Sequence, residues 1–460
     1  MSSASRRSLS RRRFLQTTAA ASTLFAAPMF VPARVFGANE RVNLGFIGCK
    51  NRGMQNMEGF TIVGKTPGRL ETNCAAVCDV DSKVMADAVK AVEKTGHKPS
   101  TFGDYRRMLE RKDIDAVVAS VPDHWHAVMT IDACGAGKDV YCEKPLTLFV
   151  SEGRKMVNVA RQTGRIVQVG SQQRSDARFR QAAELAVNGK LGKLHTLVVG
   201  LPKPNHATSP KPDSDPPAEL NYDMWLGPAP WHPYNENRVH YNFRFFWDYS
   251  GGQMTNFGAH HLDIAQWGLG MDDSGPVSIE GSGTFPKDKD LCEVCDTCKI
   301  TYIYPNGVKV ILVQPQRDNR KKGDPAETAP PSIEAAIKAP AAGVIFYGDN
   351  GSLLVDRQQI MADKPELLKT EFTSSDKRLT VSNDHYKHFL ECIKSRQKPI
   401  TDVEVGHRSA TVCHLGNIAV RLQRKIQWDP VKEQIVGDNE AAAMLTRPWR
   451  APYVPTMAKA

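Results

Sequence analysis

A lysine and a histidine stand where packing alone gives them no reason to be. Cys142-Glu143-Lys144-Pro145 closes an apolar run, Asp139-Val140-Tyr141-Cys142, and sets an ammonium beside a carboxylate and before a rigid proline. An ammonium so placed can hydrogen-bond a substrate hydroxyl and stabilise the alkoxide that develops as hydride leaves its carbon. Further on, the stretch from Gly251 to Trp267 reads as the head of a helix. Its spacing predicts Asn256, His260 and Asp263 on one face, with His261 turned aside. A face of Asn, His and Asp suits proton transfer, because imidazole titrates near neutrality.

Two loops offer a place for a dinucleotide. Gly48-Cys49-Lys50-Asn51-Arg52-Gly53 follows the apolar run 42–47 and keeps the first and third glycines of Gly-x-Gly-x-x-Gly, with Lys50 at the middle position. Lys50 would widen that turn, or reach a phosphate with its ammonium; Asn51 and Arg52 complete the turn. Asp79 ends the next apolar run, where a carboxylate accepts ribose hydroxyls and favours NAD; Lys50 and Arg52 keep NADP open. Pro122-Asp123-His124-Trp125-His126 follows a third apolar run, at the carboxyl end of a strand where ligands of doubly wound sheets sit. His124 and His126 also allow a His-x-His metal pair.

The elements around these loops predict an α/β fold. Apolar runs at 42–47, 74–78, 116–121, 139–142 and 166–169 alternate with helical stretches at 82–94, 126–136 and 151–163, which predicts βαβ units, a parallel sheet and a Rossmann domain over 39–170. Beyond residue 171 the pattern predicts hairpin strands at 194–200, 277–285, 297–304 and 307–315. Helices at 385–393 and 408–422 close a second α+β domain with a mainly antiparallel sheet over 171–460. Residues 202–236 read as a long surface loop, and 318–342 as a mobile segment.

The glycine turn with Asp79, the Pro-Asp-His-Trp-His loop, Glu143-Lys144-Pro145 and Gly258-Ala259-His260-His261-Leu262-Asp263 occur in the order seen in the Gfo/Idh/MocA oxidoreductases, which the chain resembles over about residues 40–450. The resemblance implies a nicotinamide cofactor, a carbohydrate or cyclitol substrate, and an open second sheet that often builds a homo-oligomer. It puts the catalytic lysine at Lys144 and the catalytic histidine at His260. Asn256 stands where the family often has Asp, and would orient His260 without accepting its proton. Glu143 and Lys144 are expected to reach the cofactor. Arg174, Trp225, Arg244, His261 and Asp263 are expected at the substrate, with Trp231, Trp247 and Tyr249 as stacking candidates.

Composition narrows the alternatives. Charged residues at 24% and aromatics at 8% exclude a disordered or fibrous chain. The formal net charge of +10 misleads, because residues 1–38 hold six arginines and no acid, which leaves +4 for the rest. No dense basic stripe follows, so nucleic-acid binding has little support. Ser10-Arg11-Arg12-Arg13-Phe14-Leu15 ahead of an uncharged stretch resembles a twin-arginine export signal, with a periplasmic destination and cleavage near Ala38. No apolar run is long enough for a membrane span. Cys292, Cys295 and Cys298 read as packing thiols, since three residues of spacing on a strand would not converge on a metal. Two rival enzymes remain: a glycoside hydrolase working through transient oxidation by bound NAD, and a metal hydrolase built on His124 and His126. A non-catalytic sugar- or cofactor-binding protein is the third alternative.

Overall fold

In the computed structural model, residues 41–62, 72–288, 291–315 and 342–457 are described; the arginine-rich segment expected as an export signal and the 318–341 stretch lie outside them. Six strands, β1 (Val42–Ile47), β2 (Thr72–Cys78), β3 (Ser100–Phe102), β4 (Ala116–Ala119), β5 (Asp139–Cys142) and β6 (Val167–Val169), form a sheet in the order β3-β2-β1-β4-β5-β6. All its pairings are parallel. This is the doubly wound arrangement that the alternation of elements predicts. β4 and β5 are buried at every residue, as expected of strands covered on both faces. Between them run α1 (Arg52–Met57), α2 (Ser82–Glu93), α3 (Tyr105–Leu109), α4 (Asp123–Gly135) and α5 (Val150–Thr163). Asp81 caps α2 by accepting from the amides of Lys83 and Val84.

The second sheet has nine strands: β7 (Leu194–Gly200), β8 (Ser278–Thr284), β9 (Thr297–Ile303), β10 (Lys309–Gln314), β11 (Gly343–Gly348), β12 (Gly351–Val355), β13 (Ile360–Ala362), β14 (Ile426–Asp429) and β15 (Gln434–Val436). Their order is β13-β12-β11-β7-β10-β9-β8-β14-β15, antiparallel except for β7 with β10. Burial alternates along β9 and β10, so one face is packed and the other left open. Ile300, Tyr302, Val310 and Leu312 point inward. They pack with residues of α6 (Ala177–Val187), α9 (Gly258–Leu269) and α11 (Val403–Leu422). α10 (His385–Ser395) and α12 (Asn439–Ala443) complete the helices on this side. Both sheets belong to one compact unit, Ala38–Ala460. No helix among the described residues is long and apolar enough to cross a membrane.

Residues 202–236 correct the expectation of a surface loop. The first part is exposed, but α7 (Tyr222–Leu226) and the residues after it bury Tyr222, Trp225, Leu226 and Tyr234 in a separate aromatic cluster. This strap is tied to the end of β2: Ser82 N donates to Glu219 O at 3.0 Å and Asn221 N to Val80 O at 2.9 Å. The chain's last described residues fasten it from outside. Arg450 Nε donates to Gly227 O at 2.8 Å and Tyr453 Oη to Asp223 at 2.6 Å, while Thr456 N anchors this tail to Asp132 of α4 at 2.7 Å. Aromatic side chains separated widely in sequence supply the burial that holds such a segment down.

Candidate active site

A cleft of about 340 Å³ opens at the carboxyl ends of the parallel strands, with the strap as its opposite wall. The glycine turn forms its floor. Gly48 has φ +80°, and a Cβ there would lie 2.5 Å from Ser120 O; a Cβ on Gly53 would lie 2.0 Å from Gly48 O. Only glycine allows the first conformation and the second approach of helix to strand. Lys50 is exposed and lines the cleft, so the turn closes without the middle glycine. Asn51 and Arg52 line it beside Lys50, whereas Gly53 lies beneath as packing. Asp79 reaches the cleft from β2 and accepts from Cys49 N at 2.7 Å and Asp81 N at 3.0 Å. Burial raises its pKa, against the pull of these amides.

The next two strand ends carry Pro122 and Glu143-Lys144. Glu143 Oε1 accepts from Arg52 Nε, Asn56 Nδ2 and Gln172 Nε2, each at 3.1 Å. That neutralises the carboxylate and fixes the turn to β5. Lys144 Nζ donates to Asn256 O at 2.9 Å and to Asn256 Oδ1 at 3.0 Å. Burial brings its pKa down to about 8, with Glu143 opposing and Arg244 adding to the fall. Asp123, also in the cleft, is buried, accepts from Ser250 Oγ, and has a pKa raised by that burial.

The second half of the molecule supplies His260 and Asn256. The predicted single helix is two: α8 (Gln253–Asn256) ends at Phe257 and α9 begins at Gly258. This break separates the expected polar face. Asn256 lies against Lys144 and donates to Gln253 Oε1 at 3.0 Å, so it orients the lysine rather than His260. His260 lines the cleft, its Nδ1 is buried with no partner, and burial followed by the Lys144 charge pulls its pKa well below the ordinary value. Few buried imidazole nitrogens go without a hydrogen bond, so this one marks a side chain not fully committed to the fold.

Several expected contacts lie elsewhere. Arg174, 1% exposed, pairs with Asp263 at 2.8 Å and Asp272 at 2.7 Å, and Asp263 also accepts from Ser409 Oγ at 2.6 Å. Both are walled off from the cleft because an arginine buried this deeply needs carboxylates around it. His261 bonds Gly200 O at 2.8 Å and is likewise held away, its pKa lowered by burial to about 4. His124 turns Nε2 to Trp225 O at 3.1 Å; burial lowers its pKa to about 3. His126 meets Pro145 O at 2.6 Å and Val121 O at 2.9 Å, so both ring nitrogens face carbonyl oxygens. These two histidines therefore tie the loop to the strap and to the Lys144 loop, with His126 leaving no nitrogen open to a metal. Trp125 lines the cleft with its ring and donates Nε1 to Met224 O at 3.1 Å. Trp225 and Arg244 do line the cleft. Trp231 is 63% exposed, Trp247 sits under Arg421 at 4.2 Å, and Tyr249 is packed in the aromatic cluster.

Residues that the sequence did not single out complete the walls. Arg357, just after β12, lines the cleft over the Phe257 ring at 4.9 Å. Tyr241 and Phe243 come from the turn Val239–Phe246. No local spacing marks them; only the long-range packing of the strap and the β12 hairpin brings them here. Cys292 belongs to the aromatic cluster, whereas Cys295 and Cys298 pack in the second-sheet core.

Both halves of the chain are similar to known proteins. A family model described as the NAD-binding Rossmann fold of the Gfo/Idh/MocA oxidoreductase family matches residues 42–171. That family's C-terminal alpha/beta domain matches 207–325 and 348–455. A glycosyl hydrolase family 109 protein of Shewanella sp. (strain ANA-3) is 37% identical over 130 residues, and an alpha-N-acetylgalactosaminidase of Shewanella oneidensis 36% over 130. Each alignment covers 27% of this chain, and it spans only 27% of the relative's own length. Among solved structures, the WlbA dehydrogenase of Bordetella pertussis, in complex with NADH and UDP-GlcNAcA, superposes with a TM-score of 0.61 at 18% identity. It covers 85% of this chain and 99% of that one. The myo-inositol 2-dehydrogenase of Lactobacillus plantarum gives 0.57 at 18%, covering 84% and 99%. At such identities the likeness is one of fold.

Proposed function

We propose, from the premise that this chain belongs to the Gfo/Idh/MocA oxidoreductase family, that it oxidises or reduces a carbinol carbon of a sugar, cyclitol or derivative with a nicotinamide dinucleotide. The observation that carries this reading is the meeting of Lys144, from the first sheet, with His260, from the second half, on the walls of the glycine-floored cleft. The cradle fits a dinucleotide: Gly48 and Gly53 let the turn close tightly against Ser120 and the end of β1, and Lys50, Asn51 and Arg52 face the cleft. Asp79 at the ribose end favours NAD over NADP, because a second phosphate there would meet a carboxylate. A bound nicotinamide supplies the hydride acceptor or donor. Lys144, held by Asn256, binds the substrate oxygen and stabilises negative charge on it. His260, kept neutral by burial, takes the hydroxyl proton from its place on the cleft wall. Pro122 and Trp125 line the same cleft and add apolar wall to it.

The test is to follow NADH formation with NAD and a panel of sugars and cyclitols. Turnover that disappears in Lys144→Ala while NAD still binds supports the assignment. Equal turnover in wild type and Lys144→Ala sinks it.

A second reading, glycoside hydrolysis through transient oxidation by retained NAD, draws on the 37% identity to glycosyl hydrolase family 109 proteins. Release of nitrophenol from aryl glycosides without added cofactor, by protein inert on free polyols, selects it. Export is proposed from Arg11 and Arg12; fractionation of cells carrying R11K/R12K should find the protein retained in the cytoplasm. Self-association through the open face of the second sheet is proposed as well, and light scattering of the purified protein reads it.

A further inference from the structure

We propose that the substrate carries a carboxylate near its reacting carbon, gripped between Arg244 and Arg357, so that the natural ligand is a sugar acid and not a neutral sugar. This rests on the oxidoreductase reading and narrows its substrate class.

Both arginines line the cleft with Lys144 and His260. Arg244 stands in the field of Lys144 and Asp123; Arg357 stands in that of His260. Neither meets a carboxylate among the described residues. Arg244 donates Nη1 to Tyr241 O at 2.8 Å, and its guanidinium packs over the rings of Tyr241 at 4.6 Å and Phe243 at 4.7 Å. Arg357 lies over Phe257. With the Gln173 amide turned to satisfy both its ends, Arg357 Nε donates to Gln173 Oε1 at 3.0 Å and Gln173 Nε2 to His260 O at 3.2 Å. The terminal nitrogens of Arg357 are thereby left for a ligand.

Other carboxylates of the cleft are already engaged. Glu143 is bonded three ways and paired with Arg52, Asp79 is held by two backbone amides, and Asp123 by Ser250. The cleft walls therefore hold five cations, Lys50, Arg52, Lys144, Arg244 and Arg357, against four carboxylates, Asp79, Asp81, Asp123 and Glu143, and no carboxylate among the described residues pairs with Arg244 or Arg357. An excess of positive charge in a partly desolvated cleft is costly until an anion completes it. Guanidinium is the group matched to a planar carboxylate, through paired N–H donors. Ring stacking fixes the Arg244 fork before the ligand arrives, which reduces the entropy lost on binding.

The experiment is calorimetric titration of the purified full chain with a panel of hexuronates and hexonates, each against its neutral parent sugar, with and without saturating NAD. Affinity for NAD is read separately by tryptophan fluorescence. At least one acid should bind 10-fold or more tightly than its neutral parent. Arg357→Met and Arg244→Met should each remove most of that advantage, Arg244→Lys should keep part of it, and affinity for neutral sugars should change little. If no acid outbinds its parent, or if the arginine variants lose NAD and acid affinity by the same factor, the inference fails. Loss of NAD binding in wild type would instead overturn the oxidoreductase reading, and leaves the acid preference legible on its own.

Discussion

Two sets of charges lie along α9 and differ in whether they are closed. Arg174, Asp263, Asp272 and Ser409 form a complete set: the guanidinium is bonded to two carboxylates, and one of those also holds a hydroxyl. Less than one turn earlier on the same helix, His260 leaves a nitrogen unbonded, and Lys144, Arg244 and Arg357 face a cleft with fewer anions than cations. The first set spends its hydrogen bonds on the fold. The second keeps them for a ligand, and that contrast separates architecture from chemistry where residue type alone does not.

The sharpest test of the contrast is Arg174→Met. It strands Asp263 without its cation, and should destabilise the protein by about 3–5 kcal/mol in denaturant titration while leaving the folded fraction active. Lys144→Ala should do the reverse, with turnover down about 10²–10³-fold and the unfolding midpoint nearly unchanged. If both variants lose stability equally, the two sets are not different in kind. Gly53→Ala pushes a methyl into Gly48 O, and should weaken NAD binding by about tenfold or more in a fluorescence titration, because the turn must shift to admit it.

The pH profile gives a finer reading. Lys144 must carry its proton to hold the substrate oxygen, so kcat/KM should fall as pH rises through about 8. Because burial pulls His260 well below its ordinary pKa, no acidic limb is expected near neutrality. Asn256→Asp sets a carboxylate against Nζ and should move the alkaline limb upward by about one pH unit. Trp231→Ala, at a ring that touches neither set, should change stability by less than about 0.5 kcal/mol and kcat/KM by less than about twofold.

Much of the framework was legible in the sequence because it is written locally. Wholly buried strands such as Ala116–Ala119 show as short apolar runs, and one-face-open strands such as Lys309–Gln314 show as alternation. Lys144 and His260 stood out because their neighbourhoods were otherwise apolar or rigid. What was not legible depends on contacts between distant segments. Arg174 looked like a ligand group until Asp263 and Asp272 closed around it. Asn256 was expected to serve His260, yet a break at Phe257 turns it to Lys144. Arg357 had no signal at all, since its chain neighbours are ordinary turn residues and its place depends on the β12 hairpin reaching Phe257.

The clasp at Arg450, Tyr453 and Thr456 has a consequence for biosynthesis. Its partners Asp223 and Asp132 leave the ribosome hundreds of residues before it does. The front wall of the crevice can be laid against β2 early in translation, but its outer fastening waits for residues 450–456. A nascent chain stalled short of residue 450 would present that aromatic wall loosely held, so the emergence of this short segment is the event that seals the crevice.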